Sequence, residues 1–298
     1  MLTRRRIPIM QYVFWLTLED SEVAASIAVL KACLLEHLLP SCCILCGQHC
    51  PNRMLCSGCE NDLPRITACC RQCGLPGQRG AAELCADCLR HPPPWNHAVA
   101  ALVYEYPVDH LVRRFKFHND FACGQLLANE LVRTVKLRPE LCNVNQRNLE
   151  QFSLDQCPPD QGTMEKSRLE KSRQKLNCEK PDLLIPVPLH FLRRCKRGFN
   201  QAEFIAKELQ RHCSIPLQRD LLRRTNHTSA QSGLDRKTRQ KNLRDAFRCE
   251  PLNGLHVALV DDVLTTGATL QECSRTLKKA GARQISVWVA ARVPAPAH

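Results

Sequence analysis

Residues 256–270 read HVALVDDVLTTGATL, and this stretch decides the fold. Val257, Leu259 and Val260 predict a buried parallel strand, and the TLQECSRTLKK run from Thr269 predicts an amphipathic helix after it. Between them lies LTTGAT at 264–269, a small, hydroxyl-rich turn. Unpaired N–H groups at a helix N-terminus favour an anion, Gly267 lets the main chain approach closely, and Thr265, Thr266 and Thr269 add hydroxyl donors. Asp261 and Asp262 repel a phosphate but suit sugar hydroxyls or a hydrated Mg²⁺.

A strand, two acids and a T-T-G-x-T turn together resemble the phosphoribosyl pyrophosphate (PRPP) loop of type I phosphoribosyltransferases. The resemblance implies that Asp261 and Asp262 bind the ribose hydroxyls and act as the catalytic pair, while Thr265, Thr266, Gly267, Ala268 and Thr269 cradle the 5′-phosphate.

The chain has 298 residues, enough for one good-sized core and a smaller module, and a formal net charge of +13. That charge favours polyanionic partners. It is also concentrated: from Val187 to Arg248 there are fifteen Lys/Arg against five Asp/Glu. Gly, Asn, Gln and Thr separate these charges rather than helical acid partners, so the segment reads as a phosphate-handling surface.

Eleven of the twenty cysteines fall between Cys42 and Cys88. Most form C-x-x-C pairs: Cys43/Cys46, Cys56/Cys59, Cys70/Cys73 and Cys85/Cys88. Eight thiolates suffice for two tetrahedral Cys₄ zinc sites, and Gly47 and Gly74 follow two of the pairs as zinc knuckles require. The separations put the first two pairs on one zinc and the last two on another. A cross-braced arrangement, first with third and second with fourth, stays open. Cys42, Cys50 and Cys69 are spare, although Cys42 or Cys69 could replace its neighbour as a ligand.

The remaining chain predicts strands at 99–104, 183–188, 246–248 and 284–291, and helices at 34–40, 108–117, 121–135 and 199–212. Alternating strands and helices mean an α/β fold with a central, mostly parallel sheet, whose ligands bind at the carboxyl ends of the strands. Residues 1–30 read as an N-terminal extension, 31–94 as a double zinc ribbon and 95–298 as the α/β domain, with a polar insertion at 139–180. Acidic residues at 19, 20 and 22 cut short the apolar run that begins near Ile7, so neither an export signal nor a membrane span is expected, and the protein is placed in the cytoplasm.

In the segment 185–201, Arg194, Lys196 and Arg197 supply cations beside the helix that starts at Asn200. A second basic stretch spans 224–247. With these, the chain from about residue 33 to 292 resembles the ComF/GntX family of phosphoribosyltransferase-like proteins, built on a type I phosphoribosyltransferase-like fold. The resemblance assigns Arg194, Lys196 and Arg197 to pyrophosphate. It assigns Thr228, Gln231, Leu234, Arg239, Asn242 and Phe247 to a hood over the site. An R-x-x-K-F-x-x-D motif matches Arg113, Lys116, Phe117 and Asp120, with Lys116 either a phosphate contact or a surface cation.

The family implies a role in uptake or use of DNA, with single-stranded DNA and competence-machinery proteins as partners and Mg–PRPP and two zincs as cofactors. Two other functions stay in view. One is a transferase acting on an acceptor the sequence does not identify; the other is a PRPP-sensing regulator without catalysis.

Overall fold

The computed structural model describes residues 42–77, 84–138, 180–190, 194–195, 197–225 and 246–295. The N-terminal extension, the 34–40 helix, the polar insertion, Lys196 and the hood residues from Thr228 to Asn242 lie outside them. Two compact units divide between Asn61 and Asp62.

The smaller unit carries the first two C-x-x-C pairs and a short helix, α1 (Ser57–Asn61). Its knuckle closes through bonds from the Cys43 amide to Gln48 O and from the Gly47 amide to Cys43 O. Gly47 has φ +75° there, which favours glycine. In the larger unit the same pattern recurs twenty-seven residues later, with Cys70 N bonding Leu75 O and Gly74 N bonding Cys70 O. Gly74 again takes a positive φ.

The larger unit continues with α2 (Ala86–Arg90), β1 (His97–Val103), α3 (Val108–Phe117), α4 (Phe121–Lys136), β2 (Leu183–Pro186) and α5 (Gln201–Cys213). β3 (Leu222–Arg224), β4 (Phe247–Cys249), β5 (His256–Leu264), α6 (Ala268–Lys279) and β6 (Gln284–Arg292) complete it. Four strands form one sheet in the order β1-β6-β5-β2, and every pairing is parallel. The inner strands explain why: β5 and β6 are almost continuously buried, the pattern of a sheet covered on both faces.

The sequence predicts a strand at 246–248 in the central sheet. β4 instead pairs antiparallel with β3 in a separate two-stranded sheet. β3, the short run LRR, has too little apolar pattern to announce a strand. β5 also runs past Val260 through both aspartates, because Asp261 and Val263 remain in register with Val289 and Ala291 of β6.

Both edges of the large sheet are covered. Residues 64–71 run along the outside of β1, with bonds from Ile66 N to Ala101 O, Val103 N to Pro64 O and Ala98 N to Arg71 O. The segment is tied to α4 by a two-pronged Arg65–Glu130 pair, 2.8 and 2.9 Å. On the far edge Gln218 N bonds Leu184 O and Leu184 N bonds Pro216 O.

Helices α3 and α4 meet at Gly124, which lies against the fully buried Phe115 ring closely enough that a methyl group there would clash with it. Gly124→Ala should therefore destabilise the protein by about 1–3 kcal/mol, the usual range for overpacking, measured by denaturant unfolding. No helix among the described residues is long and apolar enough to cross a membrane.

Candidate functional site

The eight predicted thiols gather into two tetrads, Cys43/Cys46/Cys56/Cys59 and Cys70/Cys73/Cys85/Cys88, with the sulfurs of each within 4.8 Å of one another. The pairing is successive rather than cross-braced. Cys46 Sγ and Cys56 Sγ are 3.7 Å apart, as are Cys73 Sγ and Cys85 Sγ. That is too long for a disulfide and close to the edge of about 3.8 Å expected of a tetrahedron with Zn–S bonds of about 2.3 Å.

Burial, hydrogen bonds and neighbouring thiols split the titration within each tetrad. Burial opposes ionisation of Cys43, yet backbone N–H bonds, chiefly from Cys46 and Cys56, bring its thiol down to about 6. Cys70 follows the same logic and falls to about 7. Burial, and then neighbouring thiols, push Cys59 and Cys88 far up. Four thiolates in one such cluster need a divalent ion between them, and the donor set suits a soft, tetrahedral one.

The second site lies at the carboxyl ends of the parallel strands. A cavity of about 250 Å³ is lined by Asp261, Asp262, Thr265 and Thr269 from β5 and the turn after it, by Lys116 from α3, and by Arg197, Asn200 and Gln201. Tyr104, His190 and Arg224 also line it. Position fixes the acids: they alternate about the end of β5, so Asp262 is buried and Asp261 half-buried at the mouth.

Lys116 Nζ pairs with Asp262 Oδ2 at 2.9 Å, and Asp261 Oδ1 accepts the Asp262 amide at 2.9 Å. Burial, reinforced by the adjacent Asp262 charge, pushes Asp261 up to about 7 against the opposing pull of Lys116 and Arg197.

The turn is shaped to leave donors open. Gly267 is the N-cap of α6 at φ +76°, and no side chain caps the first turn. The neighbouring helix α5 is different, because Asn200 Oδ1 accepts from Ala202 N while its Nδ2 donates to Val187 O, fixing the strand-to-helix turn. Arg197 stands at that turn, donating to Gln201 Oε1 at 3.1 Å with its guanidinium 5.1 Å from the centre of the Phe117 ring.

Of the predicted ligand residues, the structure brings together Asp261, Asp262, Thr265, Thr269, Lys116 and Arg197. Thr266 is exposed, while Gly267 and Ala268 form the turn itself. Arg194 is exposed and does not line the cavity. Tyr104, His190 and Arg224 were not foreseen. Tyr104 and His190 follow strands of the parallel sheet, the signal that the topology rule could have used. Arg224 instead ends a strand of the separate antiparallel pair and opens the second basic stretch.

Residues 173–297 match the family described as phosphoribosyl transferase domain. Competence protein F of Haemophilus influenzae is 33% identical over 256 residues, covering 84% of this chain and 96% of that protein. DNA utilization protein YhgH of Escherichia coli K12 is 29% identical over 239 residues, covering 80% and 90%. Competence protein ComFC of Bacillus subtilis is 24% identical over 238 residues, covering 78% and 80%. With the parallel sheet, the acid pair at its carboxyl edge and two cysteine tetrads in place, the chain belongs to the competence protein F family of phosphoribosyltransferase-like proteins.

Proposed function

We propose that the chain binds PRPP with Mg²⁺ in the β5 cavity, holds zinc in both cysteine tetrads, and serves the uptake or processing of transforming DNA. The observation that carries the sugar-phosphate reading is the meeting of Asp261 and Asp262 with the uncapped N-terminus of α6 in one cavity. The cavity therefore combines acceptors for ribose hydroxyls with donors for a phosphate. Arg197, Lys116 and Arg224 supply positive charge for a pyrophosphate group. Mg²⁺ bound to the ligand's phosphates would neutralise part of their charge, and it is held by one or two carboxylates plus phosphate oxygens rather than by a full protein cage. Asp262 spends one oxygen on the Lys116 ammonium and Asp261 one on the Asp262 amide. Asp261 is thus the acid of the pair that faces no cation at hydrogen-bond distance among the described residues, which suits it to a hydroxyl or a hydrated cation.

The DNA role rests on the names of the relatives and on the basic balance of the chain, +13 overall. Zinc rests on four thiols gathered within 4.8 Å of one another at each site, the donor set of a structural zinc.

The acid pair gives the test its sign. A carboxyl raised to about 7 is half protonated at neutral pH, and only its ionised form accepts two hydroxyl bonds or a cation. Calorimetric affinity for Mg–PRPP should therefore rise about tenfold from pH 6 to pH 8, with the proton release on binding falling from nearly one to nearly none across that window. Stability of the free protein runs the other way. The raised value means that ionising Asp261 costs the folded state, so stability declines as pH climbs from the ordinary carboxylate range to about 7. Asp261→Asn should flatten both curves, leaving only the ligand's own titration. A wild-type affinity that does not rise more steeply with pH than that of Asp261→Asn would remove Asp261 from the site.

A further inference from the structure

Arg292 ends β6, and among the described residues its four side-chain hydrogen bonds all run to main-chain carbonyls. Its Nε donates to Cys73 O at 3.1 Å, and its Nη1 contacts Leu264 O at 3.0 Å, Thr265 O at 2.9 Å and Val293 O at 2.8 Å. Cys73 belongs to the second tetrad, while Leu264 and Thr265 open the turn that follows the acid pair. One guanidinium therefore joins a metal-ligand residue to the sugar-phosphate turn. Its five donors in a rigid plane can span the two groups, which a lysine's single ammonium cannot.

Trp95 makes the same connection independently. Its Nε1 donates to Gln72 O at 2.6 Å, inside the Cys70–Cys73 knuckle. The far edge of its ring lies 3.3 Å from where a Cβ on Gly267 would be, and Leu264 Cδ1 is equally near that position. Both side chains thus crowd the turn at a residue whose positive φ already disfavours most side chains.

We infer that the second cysteine tetrad is a positioning device for the sugar-phosphate turn, acting through Arg292 and Trp95. The metal fixes the knuckle's carbonyls, the two side chains read those carbonyls, and the turn between Leu264 and Thr269 is held in its ligand-ready form. Loss of this order raises the entropy that a ligand must remove on binding. The consequence for affinity rests on the sugar-phosphate reading above; the order of the turn itself does not.

Hydrogen exchange resolved by mass spectrometry reads that order without any ligand. In Arg292→Gln, exchange of the amides at 265–269 should rise about tenfold, with metal content unchanged and the β5 amides at 257–260 as protected as before. Cys73→Ser should give the same local rise, and adding Arg292→Gln to it should add little, because both break one connection. Unchanged exchange at 265–269, a rise shared equally by β5, or full additivity of the two changes would each overturn the inference. Should Cys73→Ser fail to fold, Trp95→Phe gives the local rise by removing both the bond to Gln72 and the indole edge beside Gly267, and unchanged exchange at 265–269 in that variant would overturn the inference. Mg–PRPP titrations on the same samples should show about tenfold weaker binding in Arg292→Gln. Absence of binding by the wild type would reject the sugar-phosphate reading while leaving the exchange result to decide the coupling.

Discussion

Replacing Asp261 and Asp262 together by alanine should weaken Mg–PRPP binding by at least about a hundredfold in a calorimetric titration, with the fold and the metal content intact. The magnitude follows from two charged acceptors, each worth about 1.5–3 kcal/mol in hydrogen bonds to a ligand. The preserved fold follows from their place at the open end of β5, where Asp261 is half-buried and already strained by its neighbour's charge. Lys116 is the internal control. Loss of Asp262 frees its ammonium from a 2.9 Å ion pair, which should strengthen attraction for phosphate and recover part of the loss in the Asp262 single variant. Unchanged affinity in the double variant would sink the ribose-anchor assignment.

The second large effect concerns DNA. Single-stranded DNA binding by a chain of charge +13 with only three Trp and three Tyr should be carried by phosphate contacts rather than by stacking. If about five phosphates are neutralised, the single-strand slope of about −0.7 per phosphate lowers affinity roughly a hundredfold between 50 and 200 mM salt. Fluorescence anisotropy of a labelled oligonucleotide across that range checks it. A nearly flat salt dependence would refute the electrostatic reading. The Asp261/Asp262 double variant should bind DNA at least as tightly as the wild type, since it has lost negative charge.

Much of this was legible along the chain because its strongest signals are local. The acid pair, the turn and the helix start occupy fifteen consecutive residues, and each C-x-x-C pair occupies four. Both patterns are dictated by what one turn of backbone can present to one ligand. The rest is non-local. Tyr104 and His190 follow strands β1 and β2 of the large sheet while Arg224 ends β3 of the small one, and only the tertiary fold brings them to one cavity. The β3–β4 pairing joins two three-residue strands, too short for periodicity to register. Arg292 reaches Cys73 across 219 positions of sequence, and nothing near either residue announces the bond. Even the Lys116 alternatives, phosphate contact or surface cation, were settled toward neither by spacing, since its partner Asp262 lies on another element.

The strip at residues 64–71 seals the outer edge of β1 and leads straight into the second knuckle, whose Arg71 carbonyl makes the last of its bonds to that strand. An uncovered edge on a parallel, apolar sheet is a template for a second chain. Serine variants of the second tetrad, by loosening that strip, should therefore self-associate while the α/β core stays folded, as light scattering beside circular dichroism would show.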